Sequence, residues 1–279
     1  MARPDFVVAG PPEAGGLRLA AMLADHPALG LGGTAPTAGS ARATDSAPGQ
    51  QGELTPYLLA DFTAARRLHE SVAYPRLLVT LRDPVDRAYA AWQRARAAGA
   101  EPLADFGMAL TAEPARAAAG CDWTWRYAEL GQYGRQLRRL YTLYSPSQVL
   151  LVRYSDLLAA PAAARDRAYA FLGVRPRERH ATGDRPDLPR ATGPRPTASA
   201  IRPESPARPE PTARGEAAVH TSTVADAAAA LSSFPGGAPP DARERAIGLF
   251  RLDIQLLESV TRRPFADWLT GEPATAPRV

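Results

Sequence analysis

Gly10 to Leu17 (Gly-Pro-Pro-Glu-Ala-Gly-Gly-Leu) follow the apolar run Phe6 to Ala9 and precede an amphipathic stretch carrying Leu19, Met22 and Leu23. Strand, tight glycine loop and helix in that order turn backbone N–H groups and the positive end of a helix on an anion, usually a phosphate. The same order also describes a core strand turning into its covering helix. The content of this loop conflicts with its shape. A phosphate loop normally adds a lysine, whereas Glu13 sits at the tip here and Pro11 and Pro12 have no N–H to donate. Glu13 has two readings. One is a general base or ligand anchor inside a cleft; the other is a solvated carboxylate that stabilises the helix dipole.

A second candidate is Arg82, at the end of the apolar run Arg76 to Leu81 and just before Asp83-Pro84. Ligands of open α/β sheets collect at the carboxyl ends of strands, which favours ligand contact. The plain alternative is pairing with Asp83, Asp86 or a backbone carbonyl. Tyr57, Tyr89, Trp92, Trp123 and Trp125 either line an aromatic acceptor pocket or, at helical spacing, belong to the core. His26 suits capping or packing, and His69, His180 and His220 stand in no catalytic pattern. No Ser-His-Asp order and no metal-ligand spacing is present, so no metal is expected.

The elements that must hold these residues follow from pattern. Arg76 to Leu81 and Gln148 to Val152 are apolar runs of the buried parallel type. Helices are expected at Asp61 to Val72, from Pro84 to about Ala97, over Trp123 to Tyr141, from Pro161 to Leu172 and over Pro240 to Val260. Residues 28 to 52 read as a mobile loop, and a linker with Pro102, Phe106 and Met108 follows the helix that ends at about Ala97. Strands alternating with helices imply right-handed βαβ units and a parallel sheet. Residues 175 to 215 change character, with proline every few residues and few apolar anchors. They read as a solvated insertion, or as an arginine-bearing cover for a cleft. Ala217 to Leu231 is a weaker helix candidate.

With 279 residues and 45% hydrophobic content, the chain suits one large α/β domain with long insertions. Cys121 is the only cysteine, which excludes an internal disulfide and fits a reducing compartment. Neither a leader-like start nor a membrane-length apolar run is visible, so a cytoplasmic, non-membrane protein is expected. The sequence contains no lysine, and its positive charge is all arginine. The net charge of +4 is dispersed, which disfavours nucleic-acid binding. Oligomeric state has no signature in the sequence.

Leu77 to Trp92 (LLVTLRDPVDRAYAAW) resembles the 3′-phosphate-binding strand, turn and helix of the sulfotransferases that use 3′-phosphoadenosine 5′-phosphosulfate (PAPS). The resemblance is to the bacterial branch related to heparan N-deacetylase/N-sulfotransferase. Gly52 to Leu59 and Tyr127 to Val174 are similar to further segments of that family, as is the C-terminal helix with its closing tryptophan. The resemblance implies a single three-layer, sulfotransferase-like (P-loop NTPase-like) α/β domain over residues 1–279, with loops at 30–51 and 175–215. It also implies PAPS or its product PAP as cofactor, and sulfuryl transfer to a small-molecule hydroxyl or amine. Cofactor contacts would then come from Gly10, Pro11, Pro12, Ala14, Gly15, Gly16, Leu17, Arg82 and Ala90, with Glu13 as the catalytic candidate.

Against the family pattern, the loop lysine is Glu13 and the two loop threonines are Gly16 and Leu17. The catalytic base falls on Ala35 within Thr34-Ala35-Pro36, the serine of the 3′-phosphate motif is Ala90, and a later Arg-Gly pair is Leu130-Gly131. Sulfuryl transfer needs charge stabilisation at the bridging oxygen and a base for the acceptor. Three functions stay open on this reading. The first is a repurposed tailoring enzyme of secondary metabolism, with altered or lost PAPS chemistry. The second is a working sulfotransferase in which Arg18, Arg82 or an arginine of 175–215 replaces the lysine. The third is a non-catalytic binding protein.

Overall fold

The strands are built from runs that leave no polar face. Phe6–Ala9 (β1) is buried throughout, and Arg76–Leu81 (β4) is buried from its second residue on. Such strands must be covered on both sides, as in parallel sheets. The computed structural model describes residues 3–32, 49–175 and 236–271, and shows a five-stranded parallel sheet ordered β2-β3-β1-β4-β5. The other strands are Leu29–Gly32 (β2), Gln50–Thr55 (β3) and Val149–Arg153 (β5). Phe6 lies opposite Gly52 on one side and Arg76 on the other. A Cβ on Gly52 would come within 2.2 Å of the Phe6 ring, so the glycine makes room for β1's largest side chain.

Alternation divides the strands between two cores. Val7, Ala9, Leu77, Val79, Leu81, Val149 and Leu151 face one layer of helices. Within it lie Pro84–Ala97 (α3), Phe106–Ala118 (α4), Tyr133–Leu140 (α5), Pro240–Ile247 (α8) and Arg251–Thr261 (α9). Phe6, Val8, Leu54, Leu78 and Val152 face Gly16–Ala24 (α1), Tyr154–Ala159 (α6) and Pro161–Leu172 (α7). Phe62–Ser71 (α2) follows β3, and Asp267–Thr270 (α10) is the last short helix. This is the three-layer parallel α/β architecture expected from the sequence.

Several boundaries differ from expectation, each for a visible reason. The stretch 28–52 begins and ends in strands β2 and β3, and 33–48 lies outside the described residues, as do 176–235. The stretch with Pro102, Phe106 and Met108, read as a linker, contains α4, with the Asp105 side chain accepting from the Met108 N–H at its start. Trp123 to Tyr141 is not one helix. It is two single turns, Trp123–Trp125 and Glu129–Gly131, followed by α5, because Arg126 and Gln132 leave helical geometry. The buried Glu113 carboxylate holds the kink by accepting from the N–H groups of Ala128 and Glu129, at 2.6 and 2.7 Å. Pro240 to Val260 is likewise two helices. The break at Gly248–Phe250 turns Phe250 fully inward against Gly131, where a Cβ would meet its ring at 2.7 Å. Leu130 and Gly131, aligned with the family's Arg-Gly pair, are thus buried packing residues. His26 packs as expected, its ring 4.8 Å from that of Tyr169.

Candidate active site at the carboxyl ends of the strands

Strand order places the site. The chain runs from β1 out to β2 and β3 on one side, then returns to β4 and β5 on the other, so β1 and β4 flank the switch point. The helices that follow them, α1 and α3, cover opposite faces, and a crevice opens between their N-termini. The loop Gly10–Gly15 leaves β1 there, and Arg82 leaves β4 beside it.

The loop's backbone requires its glycines. Gly10 has φ 127°, and a Cβ there would lie 2.4 Å from Thr80 Oγ1. Gly15, the residue before α1, has φ 95° and ψ 10°. A Cβ on it would lie 2.8 Å from the Tyr154 ring and 2.9 Å from Leu157. Pro11 accepts from the Ala14 N–H at 3.2 Å and closes the turn, with Pro12 at its half-buried corner. Ala14 and Gly16 are buried, and Leu17 is half-buried against the α1 core. No side chain caps α1, and its first turn holds no acidic residue. Its leading N–H groups remain the positive pole of a helix dipole.

Glu13 is neither solvated nor capping that helix. Its side chain is only 4% exposed, and it adopts φ 70°, a left-handed conformation rare for a non-glycine residue. Both carboxylate oxygens are engaged by Arg94 of α3. Nη2 donates to Oε2 at 3.1 Å, and Nε lies 2.6 Å from Oε1. Arg82, also buried, donates from Nη1 to the Glu13 carbonyl at 3.3 Å and from Nη2 to the Gly236 carbonyl at 3.0 Å. Its guanidinium stands 4.7 Å over the Tyr154 ring. Asp83 instead accepts from the N–H groups of Val85 and Asp86 and starts α3 with Pro84 at its first turn. Arg82 therefore meets backbone carbonyls rather than Asp83 or Asp86.

Arg87, one turn along α3, is fully buried and donates to the Tyr127 carbonyl. Its Nε and Nη1 find no hydrogen-bond partner among the described residues. Burial pulls its guanidinium down from the usual arginine value, while Tyr133, Glu113 and Glu13 pull it back up. Burial pushes the Tyr133 phenol up to about 12, with Arg87 opposing. Tyr57 joins this group. Its phenol is raised by burial and by the fields of Asp122 and Glu13, against Arg87. Its ring stacks on Trp123 at 6.5 Å and 20°, and Trp123 carries Arg126 at 4.5 Å.

Gly10 to Leu17, Glu13, Arg82 and Tyr57 are thus brought to one end of the sheet. Ala90 is buried on α3, on the face it shares with Asp86 and Arg94 at four-residue spacing. Ala35 lies outside the described residues. Tyr89 and Trp92 are packing residues around Phe106, and Trp125 lies under Arg116. Sequence reasoning missed Arg94 and Tyr154. Arg94 was detectable, since it follows Ala90 by one helical turn on the face that begins beside Arg82. Tyr154 had no signal in the sequence. Among the described residues there is no group of side chains suited to a metal ion, and no helix is long and apolar enough to cross a membrane.

A sulfotransferase domain profile matches residues 57–182, from Tyr57 through α7. Over that stretch the chain is similar to the sulfotransferase domain family. It is similar to the bifunctional heparan sulfate N-deacetylase/N-sulfotransferase 2 of Bos taurus, 33% identical over 104 residues, and to that of Homo sapiens, at 32%. In each case the match covers 36% of this chain and spans only 12% of the relative's length. The fold is that of a sulfotransferase crystal structure from Alicyclobacillus acidocaldarius, with a TM-score of 0.66 and 20% identity over 96% of this chain and 99% of that one. The profile match begins after the Gly10–Gly16 loop, so that similarity is independent of the loop.

Proposed function

We propose that this sulfotransferase-family protein binds a PAPS-type nucleotide across the Gly10–Gly16 loop and Arg82, and acts on a small-molecule hydroxyl or amine with altered PAPS chemistry. The observation that carries the reading is the convergence of an uncapped α1 N-terminus with Arg82 and the orphaned N–H groups of Arg87. Buried guanidinium nitrogens without partners are costly, and an oxyanion satisfies them. Gly10, Pro11, Pro12, Ala14, Gly15, Gly16 and Leu17 would shape the cradle, with N–H groups from the non-proline members. Arg82 and the face bearing Ala90 would meet the second phosphate. Bound PAPS supplies the sulfuryl group; the protein supplies fixed positive charge and excludes water. Tyr57, backed by Trp123, offers the flat ring against which an aromatic acceptor would lie.

The chemistry is altered because the family's loop lysine is Glu13, its two loop threonines are Gly16 and Leu17, and its serine is Ala90. An arginine binds an oxyanion well but does not hand over a proton as lysine does. Loss of one preorganised charge at such a centre costs on the order of a hundredfold to a thousandfold in rate. A non-catalytic binding role is the second reading, favoured by the engagement of Arg82 with the Glu13 and Gly236 carbonyls.

Calorimetric titration with PAP, followed by sulfuryl transfer from radiolabelled PAPS to phenols and amines, tests both. Micromolar PAP binding with slow turnover is expected. Binding without turnover would move the conclusion to the second reading, and no binding at millimolar PAP would overturn the nucleotide assignment.

A further inference from the structure

Resting on the nucleotide reading above, we infer that Arg94 is the cation of the loop and that Glu13 positions it for the 5′-phosphosulfate end of the nucleotide. Glu13 occupies the tip of an anion cradle, a place where a bare carboxylate would repel the ligand. It is not bare. Arg94 reaches it from α3 and presents its Nε–Nη2 edge, with Nη2 donating to Oε2 and Nε in ion-pair contact with Oε1. That mode uses one edge of the guanidinium and leaves Nη1, with its two N–H groups, on the opposite edge. Nη1 has no hydrogen-bond partner among the described residues, and the Arg94 side chain is 38% exposed. One edge is therefore fixed in the protein while the other is left without a partner among the described residues.

The charge balance agrees. Arg82 donates to the carbonyl of Glu13, Arg94 to its carboxylate, and Arg87 feels its field. Arg82, Arg87 and Arg94 outnumber Glu13 and Glu113, the two carboxylates that act on Arg87, so the loop with its supporting arginines keeps an excess of positive charge despite Glu13. The strained φ of Glu13 fits the same role. A left-handed tip residue is strained, and such strain persists where surrounding contacts fix it for function. The inversion of the loop charge is thus answered by a guanidinium from the neighbouring helix.

The test compares two ligands on the full chain, PAP and adenosine 3′-phosphate, which lacks the 5′ group. Arg94→Ala should weaken PAP binding by about tenfold to a hundredfold, the worth of a charge-assisted hydrogen bond. It should leave adenosine 3′-phosphate within about twofold, since that ligand does not reach the loop. A purely structural role for Arg94 would weaken both alike and would sink the inference.

Glu13→Gln should also weaken PAP selectively, although it removes a negative charge. Tighter PAP binding in this variant would show that Glu13 only repels, and would overturn its positioning role. Should Arg94→Ala fail to fold with Glu13 left unpaired, the double variant Glu13→Gln/Arg94→Ala carries the same comparison. Its PAP affinity should match that of Arg94→Ala, or fall by the same tenfold to a hundredfold from wild type. Failure of the wild type to bind PAP sinks the nucleotide reading. Wild-type binding with an indifferent Arg94→Ala sinks this inference alone.

Discussion

At the residue scale, the exchange of lysine for Glu13 is not an isolated reversal of charge. Restoring the family residue with Glu13→Lys would set an ammonium against Arg94 in a space where the carboxylate is 4% exposed. The variant should lose stability by about 3 kcal/mol, the usual cost of leaving one member of a buried pair unmatched, reduced by the partial exposure of Arg94. It should not bind PAP more tightly than wild type. The swap Glu13→Lys/Arg94→Glu should recover most of that stability, as thermal melts of the single and double variants would show. Recovery in the swap but not in the single variant identifies the pair as a unit. The loop's shape was legible in the sequence because glycines and prolines report backbone directly. The partner of Glu13 was not, because the contact joins residues 81 positions apart.

A second buried pair makes a pH-dependent prediction. Glu101 accepts from both Nη atoms of Arg116 at 2.8 Å, from the Leu103 N–H at 2.8 Å and from the Tyr127 hydroxyl at 3.0 Å. Burial alone would raise its carboxyl, but these donors outweigh burial and hold it below the usual range. Its stabilising contribution is then complete above the unfolded carboxyl value of ~4.3 and fades as pH falls through the lower folded value. Glu101→Gln should cost about 2–3 kcal/mol at pH 7 by urea unfolding. The gap to wild type should narrow below about pH 4. A gap independent of pH would mean that the lost packing, not the charge, carries the effect.

At the scale of elements, the strands were the most legible part. Arg76–Leu81 is buried from its second residue on and apolar there except for Thr80, a short run that fits a strand covered on both faces. The β2 and β3 strands were hidden because Gly30 and Gly52 read as loop while packing here as close-approach residues. The two apparent long helices misled for another reason. Periodicity continues through Arg126, Gln132 and Leu249, but tertiary contacts set the breaks. Asp253 of α9 accepts from the N–H groups of Gly134 and Arg135 at 2.7 and 2.9 Å, and so caps α5 from a distant part of the chain. Gly134 is confined by the same contact, since a Cβ there would lie 2.4 Å from the Asp253 carbonyl. Asp253→Ala should lower stability by about 2 kcal/mol, at the upper end for a lost cap because the N–H groups it serves are buried or half-buried. Gly134→Ala should cost at least as much in the same melts, through steric conflict rather than lost hydrogen bonding. If Gly134→Ala melts like wild type, the α5–α9 contact is softer than its geometry implies.

At the scale of the whole molecule, the C-terminal helices are tied to the candidate site rather than appended to it. Arg243 of α8 lies 2.6 Å from Asp83 and 3.3 Å from Asp86 at the start of α3, and also donates to the Trp268 carbonyl. Arg153, at the end of β5, pairs with Asp267 and stands over the rings of Phe265 and Trp268. Ala238 donates to Asp86 at 2.9 Å, two residues after the Gly236 carbonyl that receives Arg82. One carboxylate, Asp86, thus fixes the approach to α8, and that approach holds the Arg82 guanidinium. Burial raises the Asp83 carboxyl while Arg243 opposes it, so removing Arg243 leaves a buried acid without its counter-charge. Arg243→Leu should cost about 3 kcal/mol, or roughly 6–12 °C in thermal midpoint for a chain of this size. It should also weaken PAP by several-fold while sparing a ligand without the 3′-phosphate, since Arg82 loses its support at Gly236 and not its own charge. A lowered midpoint with unchanged PAP affinity would show that the C-terminal helices stabilise the fold without setting the site. A selective loss of 3′-phosphate affinity would make them part of it.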